Sequence, residues 1–318
     1  MKKINQTIIT ATLFCIIIIL IAFSKEAKQG AIEGINLCEN IIIPSLLPIL
    51  ILSNTMVRLK SSTLSAVFFG LISGYPAGAV LTHSLYKEGL IDEKEAEGIM
   101  SFNFCGGCAF IISAVGSIVY KNIKAGIVLF ACSVLSSLII ALIKRPVGIR
   151  KGASHMRFND ALCAGVESSV KSLAAMSAYI ILFSSLMDIV KLPDFLIPAL
   201  EITNGVCKIE KLLPLPFCAF FLSFGGLCVH FQLFTFLRDM KISYFSFIIN
   251  RILGASLSYF ICRIILHFSD DTSLVSANLS PSLPFEISKL GGGLSLVMII
   301  GCAVIIFDLE NRKMKLLK

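Results

Sequence analysis

The residue best placed to do chemistry is Glu201, the one charged residue in the stretch ALEITNG (Ala199–Gly205). Ionisable side chains within apolar segments are costly to bury, and they are commonly kept for a function. Because a carboxylate repels an anionic substrate, we assign Glu201 to ion coupling, as a site for a proton or Na⁺ with help from exposed backbone carbonyls. The alternative is a carboxylate at a helix end that accepts N–H bonds from the next turn.

Three further polar residues are candidates for contact with an organic ligand. A guanidinium matches a carboxylate in geometry, so Arg251 is expected to pair with a substrate carboxylate or with Glu201, unless it reaches the cytoplasm from its shallow place in a span. His230 and Gln232 are able to hydrogen-bond a ring nitrogen or a hydroxyl group. A role for His230 as a satisfied core residue stays open.

Glycines interrupt the apolar segments at several places, with a proline at one of them, Gly74-Tyr75-Pro76-Ala77-Gly78. Proline lacks a backbone donor and glycine permits close approach, so such breaks expose main-chain N–H groups and a positive helix end to a cavity. Tyr75 is able to stack on a ring there, or to pack as an ordinary core tyrosine. The predicted substrate contacts are Gly74, Tyr75, Pro76, Gly78, Asn103, Gly106, Gly107, Thr203, Asn204, Gly205, Gly225, Gly226, His230, Gln232 and Arg251.

The elements that must position these residues are membrane helices. The chain has 318 residues, of which 56% are hydrophobic and 15% are charged, which is too little charge for the surface of a soluble protein of this length. Asn5–Phe23, Ile123–Ile143 and Leu290–Phe307 are apolar runs of about 20 residues, the length that crosses a bilayer core of about 30 Å. The composition predicts an all-α polytopic membrane protein.

The charge and the motifs exclude other classes of protein. The formal net charge of +8 comes from short basic segments, chiefly Lys144–Arg157 and the C-terminal tail, which is typical of cytoplasmic loops and does not indicate a nucleic-acid partner. The sequence has no phosphate-binding loop, zinc-protease helix or serine elbow, so we predict no enzyme and no cofactor. Cys105 and Cys108 have C-x-x-C spacing, but the flanks favour small residues around a break over a redox or metal pair.

The basic segments also fix a topology. The N-terminus, Lys144–Arg157 and the tail are predicted to be cytoplasmic, and Ser269–Lys289 to lie outside. The crossings then close only if Leu64–Tyr86 enters and leaves on the cytoplasmic side and Leu196–Leu213 does so on the outer side. This gives about eight transmembrane helices and two re-entrant hairpins.

The two halves of the chain show the same order of segments, each with a span, an interrupted segment, a glycine-pair segment and a further span. Because the halves enter from opposite sides, we predict an inverted repeat, the arrangement by which many secondary transporters place a site at the membrane midplane. Close helix packing is the alternative explanation of the glycine pairs. The predicted domains are an N-terminal helix (1–30), a first repeat (31–145, hairpin 64–86), a basic loop (146–160), a second repeat (161–268, hairpin 196–213) and a C-terminal part (269–318).

Four stretches resemble a known family. GLISGYPAGAVLTHSLYKEGLIDEKEAEGIMSF (Gly70–Phe102), together with ALEITNG, FGGLCVHFQ (Phe224–Gln232) and NRILGASLS (Asn250–Ser258), is similar to the sporulation integral membrane protein YlbJ (SpoVV) family. The resemblance implies a nucleoside recognition or gate domain, with a layout like that of concentrative nucleoside transporters. It also implies a role in endospore formation and movement of dipicolinate. The chain departs from the family's polar Asn-Asn-Ser-Gly-Pro run, with Phe104–Cys108 in its place.

Three functions therefore stand as hypotheses. The first is a secondary transporter that moves a small carboxylate, with dipicolinate implied by resemblance, by alternating access in the cell membrane or a forespore-surrounding membrane. The second is a non-transporting scaffold or signalling protein of spore cortex or coat formation. The third is a nucleoside transporter. The expected partners are the carboxylate, a coupling proton or Na⁺ and the lipid bilayer, and a homo-oligomer stays open.

Overall fold

The computed structural model describes residues 2–59, 62–144, 148–150, 152, 156–190, 197–207, 213–237, 239–240 and 242–269. In these residues the chain is helical and forms no β-sheet. The helices are α1 (Lys2–Ala22), α2 (Ser24–Leu37), π1 (Cys38–Ile42), α3 (Ile43–Leu59), α4 (Thr63–Ser73), α5 (Ala77–Lys87), α6 (Glu93–Met100), π2 (Ala109–Val119), α7 (Ile123–Lys144), α8 (Phe158–Val190), α9 (Ile197–Leu200), α10 (Ile202–Cys207), α11 (Leu215–Phe224), α12 (Gly226–Leu237) and α13 (Tyr244–His267). The predicted last span and the acidic loop before it lie outside the described residues, except Ser269.

Five helical segments in the described part of the chain are long and apolar enough to cross a membrane. They are Ser24–Leu59, Ile123–Lys144, Phe158–Ile189, Leu215–Leu233 and Tyr244–His267. Large apolar side chains point outward from them, including Leu142 at 73% exposure and Phe245 at 74%, as expected of a surface that faces lipid. The predicted fold class, an all-α polytopic membrane protein, is confirmed.

The continuous helical segment α2–π1–α3 packs antiparallel to α8. α2, π1 and α3 run on from one another, and α8 packs along both α2 and α3. Gly30 lies against the backbone of Ser184 near the end of α8, whereas Gly165 near its start lies against Thr55. Small residues at these positions let the helix backbones approach closely, as in other membrane helix pairs.

The first interrupted segment folds back on itself. α4 ends at Ser73 and α5 begins at Ala77, and the two helices pack together. Their far ends meet at Arg150: the Thr63 N–H donates to Arg150 O (3.1 Å), and the Arg150 guanidinium donates to Leu90 O (2.9 Å) beyond α5. A straight helix from residue 63 to 87 would separate these ends by about 37 Å.

The second interrupted segment also folds back, at Glu201 between α9 and α10. A Cβ atom built on Gly205 would lie 2.3 Å from the Cα of Pro198. Residues seven apart in a straight helix are separated by about 10 Å along the axis, so the chain reverses here. Glycine is required at position 205 because any side chain would meet the facing backbone.

Contacts between loops join ends that the predicted topology places on the same side. Tyr120, between π2 and α7, donates a hydrogen bond to Leu213 O (2.5 Å), and both residues were assigned to the outer side. Lys87 pairs with Asp239 (3.1 Å), and both were assigned to the cytoplasmic side. The sidedness, the re-entrant paths and the inverted repeat stay predictions.

Candidate functional site

The chain between α6 and π2 is extended and lies in a groove along the first interrupted segment. A Cβ at Gly78 would stand 2.1 Å from Asn103 O, and one at Gly74 would stand 2.0 Å from the backbone nitrogen of Gly107. Gly70 faces the Asn103 side chain at 2.4 Å in the same way. Glycine at every fourth position of this segment therefore makes room for a neighbouring backbone. In the glycine-pair segment of the first half, Ser101–Tyr120, only the second part is helical, from Ala109 to Val119.

The second glycine pair packs against the second interrupted segment. A Cβ at Gly226 would lie 3.1 Å from Pro198 O and 3.2 Å from Leu200 O. Gly225, whose φ is +89°, faces Phe104 at 3.2 Å and the Tyr75 ring at 3.6 Å. The two halves of the chain thus meet where their breaks occur, with Tyr75 and Phe104 between them.

A small buried cavity lies where the two breaks meet. The space open to the centre of a water molecule is about 20 Å³, which holds one or two waters. Tyr75 and Gly107 line it from the first half, and Glu201, Thr203 and Gln232 line it from the second. The remaining lining residues are apolar: Ile42, Leu46, Phe110, Met176, Ile180, Ile202 and Val229.

Glu201 caps α10 from within this cavity. Its Oε1 accepts the Thr203 N–H (3.0 Å), its Oε2 accepts the Asn204 N–H (2.5 Å), and the residue is fully buried. These are the bonds of a helix-end carboxylate, the alternative role considered from the sequence. A carboxylate has about four acceptor positions, and the two N–H bonds use two of them. Capping and ion binding are therefore compatible at Glu201.

Two other polar atoms in the residues lining the cavity have no hydrogen-bond partner among the described residues. They are the Tyr75 hydroxyl and the Gln232 Oε1 atom, and the two side chains are 7% and 0% exposed at the residue level. Buried polar atoms are nearly always paired, because an unpaired one costs about 1–3 kcal/mol. These two atoms therefore mark the cavity as a place for a polar ligand.

Arg251 lies away from the cavity, behind the ring of Phe104. Its two terminal nitrogens donate to the backbone carbonyls of Phe104 and Ser101, and its Cζ lies 5.2 Å from the Phe104 ring centre. The residue is 2% exposed and forms no ion pair with any described carboxylate, and its Nε is unpaired. The structure therefore shows no pairing of Arg251 with Glu201. It also shows the Arg251 guanidinium buried, and not extended to the cytoplasm.

His230 shares this aromatic environment. Its Nε2 bonds to Phe224 O (3.0 Å), and because a carbonyl only accepts, Nε2 carries the hydrogen. Its ring lies 6.1 Å from Phe104 and 5.2 Å from Phe247, centre to centre. The Nδ1 atom is buried without a partner in the described part of the chain. We call Phe104, His230, Phe247 and Arg251 the aromatic cluster.

The structure places the predicted substrate contacts in several separate parts of the molecule. Tyr75, Gly107, Thr203, Gln232 and Glu201 are at the cavity, and His230 and Arg251 are in the aromatic cluster. Asn103 donates to Ala66 O (3.4 Å) and Asn204 to Ser184 Oγ (2.6 Å), so both amides bind neighbouring helices. The other predicted contacts lie in the breaks and their close backbone crossings: Gly74, Pro76, Gly78, Gly106, Gly205, Gly225 and Gly226.

Sequence reasoning missed two residues at these places. Gly70 completes the series Gly70, Gly74, Gly78, and its spacing of four would have revealed a groove for a second backbone. Phe104 lies between Arg251 and the ring of Tyr75, which lines the cavity, and no sequence pattern indicates that position.

The chain is similar to the sporulation integral membrane protein YlbJ of Bacillus subtilis (strain 168). The two are 27% identical over an alignment of 333 positions that covers 80% of this chain and 81% of that protein. No protein family profile matches the chain. No solved structure matches it.

Proposed function

The similarity to YlbJ supports assignment of the chain to that family of sporulation integral membrane proteins, and from this premise we propose a secondary transporter. The proposed substrate is a small carboxylate, dipicolinate, which moves by alternating access in a membrane of the sporulating cell. The observation that carries the proposal is the buried cavity between two segments that fold back. Broken segments that meet around a cavity are how many secondary transporters build a site.

The conformation described here is closed around the cavity. A pyridine ring with two carboxylates is several times larger than the one or two waters that fit. Transport therefore requires the lining to move. Phe104 packs between Tyr75 at the cavity and Arg251, so it is the side chain whose displacement would open a path from the cavity to Arg251. In this proposal Phe104 is the barrier that substrate must displace.

The aromatic cluster supplies the chemistry for an aromatic carboxylate. Arg251 is a buried cation without an acid partner among the described residues, and a carboxylate would complete it. The rings of Phe104 and Phe247, whose centres lie 5.2 and 5.6 Å from the Arg251 Cζ, offer faces for stacking on a planar ligand. Anion recognition in this proposal thus lies at Arg251 and not at the acidic cavity.

The test is uptake of labelled dipicolinate by proteoliposomes that contain the purified chain. We expect uptake above protein-free vesicles, competition by unlabelled dipicolinate and none by a nucleoside. Orientation and amount are checked by protease digestion of the inserted protein. Uptake no greater than in protein-free vesicles, with the protein correctly inserted, would refute transport of this substrate.

One observation favours the scaffold hypothesis, namely the small volume of the cavity. A scaffold protein needs no substrate path through the membrane, so a sealed core is compatible with that function. The same vesicles distinguish the two, since a scaffold gives no flux under any gradient. The nucleoside hypothesis predicts the opposite competition, with uptake inhibited by a nucleoside and not by dipicolinate.

A further inference from the structure

We propose that the cavity at Glu201 binds one monovalent cation, Na⁺, with oxygens of Glu201, Gln232 and Tyr75 as its ligands. The inference deepens the proposed function, because it names the coupling ion and assigns two predicted substrate contacts to that ion. It is tested by binding and not by flux, so that the two proposals can fail separately.

The charge of the lining points to a cation. Among the described residues, Glu201 is the one acidic residue that lines the cavity, and no lysine, arginine or histidine lines it. An unpaired charge in an apolar site is costly, so an ionised Glu201 requires a positive partner. A single carboxylate balances one positive charge, whereas calcium and magnesium sites gather more oxygen ligands or retain several waters.

The free oxygens point to a metal ion and not to a shared proton. Gln232 Oε1 is an acceptor without a partner in the described chain, and so is the Tyr75 hydroxyl oxygen. A proton on Glu201 would reach one of these atoms at most, but a metal ion contacts all its ligands at once. Oxygen donors of this kind suit hard cations, and no group of three His, Cys, Asp or Glu side chains among the described residues offers a transition-metal site.

Size and position agree with this assignment. The space of about 20 Å³ fits one small ion, or one or two waters, and in this conformation excludes an organic ligand. Tyr75 belongs to the first break, Glu201 to the second, and Gln232 to α12 after the second glycine pair. An ion held by all three ties both breaks together, so its arrival or departure changes how they pack.

The experiment measures binding of ²²Na⁺ to the purified full-length chain in detergent, at constant ionic strength with choline chloride. We expect saturable binding that unlabelled Na⁺ displaces, and a thermal unfolding temperature that rises with Na⁺ because binding stabilises the folded state. Glu201→Gln is expected to abolish both effects. Gln232→Met keeps the side-chain size, removes one ligand oxygen and is expected to weaken Na⁺ binding about tenfold.

Asn54→Leu is the matched control, since Asn54 is also a buried amide with an unpaired oxygen but lies outside the cavity lining. It should keep the Na⁺-dependent rise in unfolding temperature even if the protein is less stable. No saturable ²²Na⁺ binding, or an effect that follows pH alone, would overturn the inference. Na⁺ binding without dipicolinate flux would refute only the transport proposal, and flux without Na⁺ binding only this one.

Discussion

The packing of α5 on the extended segment can be tested with one methyl group. In Gly78→Ala the new Cβ would lie 2.1 Å from Asn103 O, where ordinary contact begins at 3.4 Å. The two backbones must therefore separate by about 1.3 Å (3.4 minus 2.1). Extra atoms in a packed core lower the free energy of unfolding by about 1–3 kcal/mol. The atom met here belongs to the backbone and cannot rotate away as a side chain can, so we expect a loss at the upper end, about 3 kcal/mol.

Alanine also gains about 1 kcal/mol over glycine in a helix, which leaves a net loss of about 2 kcal/mol for Gly78→Ala, or about 30-fold in the folding equilibrium. Gly254→Ala is the matched control, because Gly254 is a buried helix glycine whose new Cβ meets only the tip of Ile140, at 3.1 Å. That variant should be neutral or more stable.

The assay follows unfolding in detergent with a dye that fluoresces on reaction with thiols. The chain suits it, with 11 cysteines, most of the described ones buried, and no tryptophan. Gly78→Ala is expected to expose its cysteines at a clearly lower temperature than Gly254→Ala. Equal unfolding temperatures for the two variants would refute the close crossing of α5 with the extended segment.

Three further predictions concern charges and thiols. Arg150 and Glu95 form an ion pair whose side chains are 50% and 16% exposed, so Arg150→Ala and Glu95→Gln should each cost about 1 kcal/mol. The double variant should cost no more than Arg150→Ala, which also loses the bond to Leu90 O, and additive losses would contradict the pairing. Arg251→Lys should reduce dipicolinate uptake at least tenfold because an ammonium lacks the guanidinium's bidentate fork, and unchanged uptake would remove Arg251 from the substrate site. An impermeant maleimide should label exposed Cys163 in permeabilised vesicles before buried Cys228, and equal rates would contradict the closed conformation.

The sequence predicted those features that depend on local chemistry. The apolar run Ile123–Ile143 predicted the helix Ile123–Lys144, which is long and apolar enough to cross a membrane. The glycines and proline at Gly74–Pro76 placed the first break correctly, because those residues cannot continue a regular helix. The second break was expected in Leu196–Leu213 and falls at Glu201. Both breaks could be predicted because the residues that cause each break lie within a few positions of it in the sequence.

Features that depend on distant contacts were not predictable from one sequence. Arg251 bonds to carbonyls 147 and 150 residues earlier in the chain, so neither spacing nor periodicity reports its partners. Glu201 caps α10 only because the chain reverses there, and the local sequence ALEITNG does not predict that reversal. The position of Phe104 between Tyr75 and Arg251 likewise follows from packing of the two halves.

The central claim is that both interrupted segments turn back within the membrane, and the most direct measurement is the sidedness of the first. Single cysteines replace Glu88, Gly148 and Lys121, all exposed, in a chain whose own cysteines are removed. An impermeant maleimide applied to right-side-out and inverted vesicles then reports the side of each. The account predicts that Glu88→Cys and Gly148→Cys react from the cytoplasmic side and Lys121→Cys from the other. Reaction of Glu88→Cys and Gly148→Cys from opposite sides would mean that the segment crosses the membrane, and would contradict the account.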